Sequence, residues 1–126
     1  MKKELFAGAL LLTMLIASIV NIWYLNKLTE NLIDIVETAE EQALSGNWDK
    51  AEENAEEAAR IWDKNDPYTH IVLRHFEIDS ATDAIYQLLN EIYSKNEGGV
   101  RGETKALTAQ LDSLASIEEI KFGSIF

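Results

Sequence analysis

The stretch Leu5-Phe-Ala-Gly-Ala-Leu-Leu-Leu-Thr-Met-Leu-Ile-Ala-Ser-Ile-Val-Asn-Ile-Trp-Tyr-Leu25 decides how the rest of the chain is read. As a helix it is about 31 Å long at roughly 1.5 Å per residue, close to the thickness of a bilayer's hydrocarbon core. Its polar residues are Thr13, Ser18 and Asn21, and hydroxyl side chains can bond back to carbonyls of their own helix. Trp23 and Tyr24 stand where an aromatic belt would meet lipid headgroups. The sequence therefore predicts a transmembrane anchor over residues 5–25.

A cleaved signal peptide is the competing reading. Its apolar region usually runs for about 7–15 residues, and this run continues past that length. A cut after Ser18 would leave bulky Ile16 two positions before it, and no Ala-x-Ala pattern occurs near the end of the run. A retained signal anchor is the better fit. The chain has no cysteine, so lipoprotein attachment is excluded. Lys2, Lys3 and the amino terminus precede the span, whereas Lys27 is the single base in the next twenty residues. By the positive-inside rule, residues 1–4 stay in the cytoplasm and residues 26–126 lie outside a cell membrane crossed once.

Working outward, the apolar face does not stop at the anchor. Leu25, Leu28, Leu32, Ile35, Ala39 and Ala43 recur at steps of three and four, which predicts a helix over 26–45 continuous with the span. Ser45-Gly46-Asn47 ends it, with Gly46 free to take a left-handed backbone and Asn47 placed to cap the next helix. That helix, over 47–64, carries Trp48, Ala51, Ala55, Ala58 and Trp62 on one face. Two indoles bracketing alanines invite the close approach of a neighbouring helix. The opposite face holds Glu52, Glu53, Glu56 and Glu57, a run best read as solvated surface.

Asp66-Pro67 predicts the next start, with Asp as cap and Pro at the first helical position. Ile71, Ile78, Ile85 and Ile92 fall seven residues apart and predict one helix over 67–94, packed nearly parallel to its neighbours. Lys95 to Gly102, with three glycines, reads as a flexible connection. Leu107, Leu111 and Leu114 mark a helix over 103–115, and Ser116-Ile-Glu-Glu119 is a capping-box pattern opening a short turn at 117–122. Phe122-Gly-Ser-Ile-Phe126 ends the chain, and its two large apolar terminal residues are expected to tuck into the bundle. The predicted fold is all-α: an N-terminal transmembrane helix continuous with an antiparallel bundle of about four helices.

Without Lys2, Lys3 and Glu4, the body has 9 basic and 21 acidic residues, a net charge of −12. Such acidity argues against nucleic acid and against adhesion to an anionic leaflet. About 100 residues suits one domain with a modest core.

Candidate chemistry is sparse. Gly46, Trp48, Ala51, Ala55 and Ala58 match positions of the second helix of a tetratricopeptide repeat. One unit is visible where stable arrays need about three, and Pro67 arrives late, so a generic hairpin is preferred to a peptide-binding one. His75, Asp79 and Asp83 share a helical face, with His70 and Glu77 nearby, and form the one candidate metal set. Di-metal bundles repeat a Glu-x-x-His pair on two helices, and this chain has no such pair, so a structural histidine is preferred. No nucleophile–base order and no phosphate loop is recognisable, so neither catalysis nor a cofactor is expected. In the span, Ala9, Thr13, Ala17 and Asn21 are spaced by four and form a stripe of small and polar side chains. Small residues let membrane helices approach closely, and Asn can hydrogen-bond between them.

Several short motifs together resemble the family called domain of unknown function 4363. They are the Lys-Lys start with its anchor, Asn47-Trp-Asp-Lys-Ala51, Trp62, His75-Phe-Glu-Ile-Asp79 and the terminal Ile125-Phe126. Where that family usually shows Asn before the final Ile-Phe, this chain has Ser124, a departure that touches the terminal turn alone. The resemblance implies a small single-pass protein of Gram-positive anaerobes or spore formers, with a helical extracytoplasmic domain and no stated activity. It also implies companionship with a multi-pass membrane protein of another uncharacterised family.

The expected function is that of a non-catalytic accessory protein that binds another membrane or envelope protein, or a second copy of itself. The contact would run through the span stripe, the alanine–tryptophan face, or both. An extracytoplasmic sensor holding a ligand or metal near His75 and Asp79 is the alternative.

Overall fold

A computed structural model describes residues 1–125, and the terminal Phe126 lies outside the described residues, as does the side chain of Ile125. The expectation that these two tuck into the core therefore falls beyond what is described. Five helices make up the chain: α1 Lys2–Leu44, α2 Trp48–Lys64, α3 Asp66–Val72, α4 His75–Tyr93 and α5 Glu97–Ile125. No strand occurs among the described residues. α1 packs against α2 and α5, and α4 closes the ring against the same two. Connections of one to three residues force each long helix to reverse on the last. The result is an up-down-up-down bundle of α1, α2, α4 and α5, with the short α3 as a corner between α2 and α4.

α1 has 43 residues, about 64 Å of unbroken helix. Its first half is long and apolar enough to cross a membrane, and none of its most apolar window is buried within the chain. From Leu25 the same helix becomes a bundle member: Leu25, Leu28, Leu32, Val36, Ala39 and Ala43 are all buried. Facing them are Ala51, Ala55, Ala58, Ala59 and Trp62 of α2, Ile78, Ile85, Leu88 and Ile92 of α4, and Val100, Leu107, Leu111 and Leu114 of α5. Alanines along α2 bring its backbone close to α1, and Trp62 fills the space at the end of the strip. The Trp62 indole N–H donates to Thr82 Oγ1 at 2.8 Å, so the one polar atom of that ring is satisfied.

The first turn forms as the sequence predicts, with Gly46 at φ +85°, a left-handed value that a side chain disfavours. Asn47 precedes α2 but makes no side-chain cap bond. Asn65, and not Asp66, occupies the position before α3, while Asp66 and Pro67 lie in its first turn.

Two stretches depart from the predicted pattern. The helix expected over 67–94 is broken at Leu73 and Arg74, both extended. Leu73 turns into the core, and the Glu77 carboxylate accepts the Arg74 N–H at 3.2 Å, which restarts the helix. The break takes Ile71 out of the isoleucine stripe. Ile78, Ile85 and Ile92 are buried, whereas Ile71 is 83% exposed. Conversely, the connection expected over 95–102 is helical from Glu97, and α5 then runs through 116 without the expected fresh start. Asn96 Oδ1 accepts the Gly99 N–H at 3.3 Å, and the fully buried Val100 pins the first turn. A Cβ on Gly99 would meet the Glu91 side chain of α4, which would have to swing aside. Burial of Val100 offsets part of the roughly 1 kcal/mol that each helical glycine costs.

Candidate functional site

Where α1 leaves the bundle, four side chains from α1, α3 and the turn before α3 meet. Tyr68 of α3 donates its hydroxyl to Asn21 Oδ1 at 2.5 Å and lies 3.2 Å from the Asn21 carbonyl oxygen. Tyr24, one turn further along α1, donates to Asn65 Oδ1, while Asn65 Nδ2 donates to the Ile61 carbonyl at 2.8 Å. The two tyrosine rings meet edge to face with centroids 4.6 Å apart. On another side, Asn26 Nδ2 donates to Glu119 Oε1 of α5 at 3.3 Å. α3, α5 and the turn residue Asn65 between α2 and α3 therefore all grip α1 within two turns, and the bundle is fixed to the apolar half of its own helix.

Electrostatics at this junction follow from burial. The Tyr68 phenol is pushed up to about 12, first by burial and then by the nearby Glu118 carboxylate and Tyr24. It remains a donor at any ordinary pH, as its bond to Asn21 requires. Tyr86 and Tyr93 are also raised, chiefly because their hydroxyls donate to Asp63 and Glu56, each at 2.8 Å.

The structure separates the small-residue stripe into two parts. Ala9, Thr13 and Ala17 are exposed, with the Thr13 hydroxyl turned back to the Ala9 carbonyl at 2.8 Å. Asn21 is half-buried beneath Tyr68, so its amide oxygen already has a partner inside the chain. Between the two parts lies an open groove of about 450 Å³ lined by Ala17, Val20, Asn21, Tyr24 and Tyr68.

The alanine–tryptophan face occupies a different place from the docking surface expected of it. Ala51, Ala55, Ala58 and Trp62 are 0–3% exposed, and Trp48 is half-buried against the same core. Their spacing does receive a close-packed helix, but that helix is the chain's own α1. A second molecule would have to displace it.

His75, Asp79 and Asp83 are all exposed on α4 and are not brought against ligands from a second helix. Among the described residues, no three of His, Cys, Asp and Glu lie close enough together to hold a metal ion. The His70 ring instead sits 3.0 Å from Asp66 Oδ1 and meets the His75 ring edge to face at 5.7 Å. On the acidic face of α2, Glu57 pairs with Arg60, and the surrounding carboxylates stay in solvent.

Sequence reading found Asn21 and Tyr24 but assigned both to the membrane environment. Their partners Asn65 and Tyr68 carry no local signature, because a clamp between residues more than forty positions apart is invisible to periodicity.

A long apolar helix that runs on, without a break, as one member of a four-helix bundle defines the class of this protein. The chain belongs to the family described as Domain of unknown function (DUF4363), whose profile matches residues 19–125. The matched segment contains the whole bundle and the junction of Asn21, Tyr24, Asn65 and Tyr68. No curated protein and no solved structure matches the chain.

Proposed function

We propose that this protein is a membrane-anchored, non-catalytic accessory subunit whose partner is another membrane or envelope protein, or a second copy of the chain. In this reading the first half of α1 spans the cell membrane with its N-terminus in the cytoplasm, and the bundle stands outside. The continuity of α1, locked at Asn21 and Tyr24, is the observation that carries it. A rigid joint transmits the orientation of a membrane helix to the domain above it, which a flexible tether cannot do. With Ala51, Ala55 and Ala58 buried in the core, the partner contact is assigned to the exposed part of the stripe, Ala9, Thr13 and Ala17.

The test is cross-linking in native membranes, purification in mild detergent and identification of co-purifying proteins by mass spectrometry, with Ala17→Leu beside the parent chain. A stoichiometric partner that Ala17→Leu weakens is the expected result. Isolation of the protein alone, or a complex indifferent to Ala17→Leu, would remove the stripe from the reading. The sensor alternative predicts that a metal or ligand raises the melting temperature of the full chain; among the described residues, His75, Asp79 and Asp83 belong to no cluster that could hold a metal ion.

A further inference from the structure

The two ends of the bundle differ in what they show to solvent. Among the described residues of the body, the most exposed large apolar side chains are Ile71 (83%), Phe76 (78%) and Ile120 (68%). Tyr86 and Tyr93 are less exposed and have their hydroxyls bonded to carboxylates. Ile71 lies on α3, Phe76 in the first turn of α4 and Ile120 on the residue after Glu119, which bonds Asn26. All three therefore belong to the end where α1 emerges. The opposite end carries the polar turns Ser45-Gly46-Asn47 and Ser94-Lys95-Asn96, all exposed.

Depth can be read along α1. The Tyr68 hydroxyl bonds Asn21, four residues before the end of the apolar stretch at Leu25. Four residues are about 6 Å of helix, so the Tyr68 side chain of α3 reaches the final turn of the apolar segment. Helices that lie in the membrane interface bury their apolar face about 5–10 Å into the boundary between headgroups and acyl chains. Charge follows the same division. In the acidic body, Pro67–Phe76 is the longest run without Asp or Glu, and its ionisable side chains besides Tyr68 are His70, Arg74 and His75. Residues 120–126 also lack an acid. The segments that carry the exposed apolar side chains thus hold no acidic side chain of their own, and the acids at their edges include Asp66, which pairs with His70, and Glu119, which bonds Asn26.

We infer that the α3–α4 corner, through Ile71 and Phe76 with Ile120 beside it, inserts into the lipid interface as a second membrane contact around the base of α1. The inference rests on the reading that α1 crosses the membrane, and its occupant is the bilayer surface itself. The bundle then sits down on the membrane, its acidic flanks pointing away, instead of standing off on a stalk. Two contacts at different distances from the helix axis fix tilt and rotation of the domain.

The absence of cysteine allows a clean test. Single variants Ile71→Cys, Phe76→Cys, Ile120→Cys, Leu12→Cys and Ser94→Cys of the full chain are nitroxide-labelled and reconstituted into liposomes of neutral phospholipid. Accessibility to oxygen, which concentrates in lipid, is compared with accessibility to a water-soluble nickel chelate. All five positions are exposed in the folded chain, so labelling leaves the core intact. The expected order of oxygen preference is Leu12 highest, Ile71 and Phe76 intermediate with Ile120, and Ser94 lowest. Labels at Ile71 and Phe76 that behave like Ser94, while Leu12 remains in lipid, overturn the corner contact and leave the span standing. Labels there shielded from both reagents show a protein covering and overturn the lipid assignment. A Leu12 label in water overturns the span, and the corner contact with it.

Discussion

The two halves of α1 share one backbone but not one composition, with 16 apolar residues among the 20 of 5–24 against 8 among the 19 of 25–43, and they meet opposite fates. Residues 5–24 turn apolar side chains outward on every side, whereas residues 25–43 concentrate theirs on a single face buried against α2 and α5. Apolar content separates them first, and the placement of polar residues second. Lys27, Glu30, Asn31, Asp34, Glu37 and Glu41 line the outer face of the second half, and no comparable polar face exists in the first. One helix can therefore carry two kinds of surface, provided the change falls at a defined residue. Here Asn21 and Tyr24 mark it, gripped by Tyr68 and Asn65.

The comparison can be broken most forcefully in the core. Leu32 is fully buried, so Leu32→Ala should destabilise the bundle by about 2–5 kcal/mol in denaturant unfolding of the detergent-solubilised chain. The same change at exposed Leu12 should leave that midpoint where it is. Equal losses at both positions would mean that the first half also packs within the chain. The reverse experiment is Leu12→Lys, which costs a membrane helix about 2.5–3.5 kcal/mol near its centre. It should shift the protein from the alkali-resistant membrane fraction toward the soluble one while the bundle still melts as before.

Smaller effects sharpen the boundary between the halves. Tyr68→Phe removes the hydroxyl that Asn21 receives and should cost about 0.5–1.5 kcal/mol, with the loss abolished when Asn21→Ala is present as well. Full additivity of the two changes would show that they do not share a bond. The weakest expected effect is in pH. Because folding raises the Tyr68 phenol from 10.0 to about 12, the unfolded chain ionises first. That contribution is intact below pH 10 and is lost as pH rises from there toward 12, with Tyr86 and Tyr93 shifted in the same direction. Thermal melts of the parent and of Tyr68→Phe across this range should converge as pH increases.

Periodicity alone was enough for the all-α class, the continuity of α1, the turn at Gly46 and most of the buried positions. These depend on local pattern: an apolar face repeats every three or four residues, and only a residue without Cβ tolerates φ +85° easily. Reading the isoleucine heptad as one helix failed at Ile71, because two extended residues at Leu73 and Arg74 change the helix axis without changing the sequence spacing. The glycines at 98, 99 and 102 suggested a loop, yet the segment is helical from Glu97, with Val100 buried in its first turn.

The sequence by itself determined that this chain has one segment apolar enough for a membrane and a helical body with a strong acidic surface. Both follow from composition and spacing, which act over a few turns. Only the tertiary structure decided which helix the alanines of α2 receive, that Asn21 bonds Tyr68 inside the chain, and that Ile71, Phe76 and Ile120 gather at the end from which α1 emerges. Those outcomes depend on how four helices close into a ring, and no local rule links residues brought together by that closure.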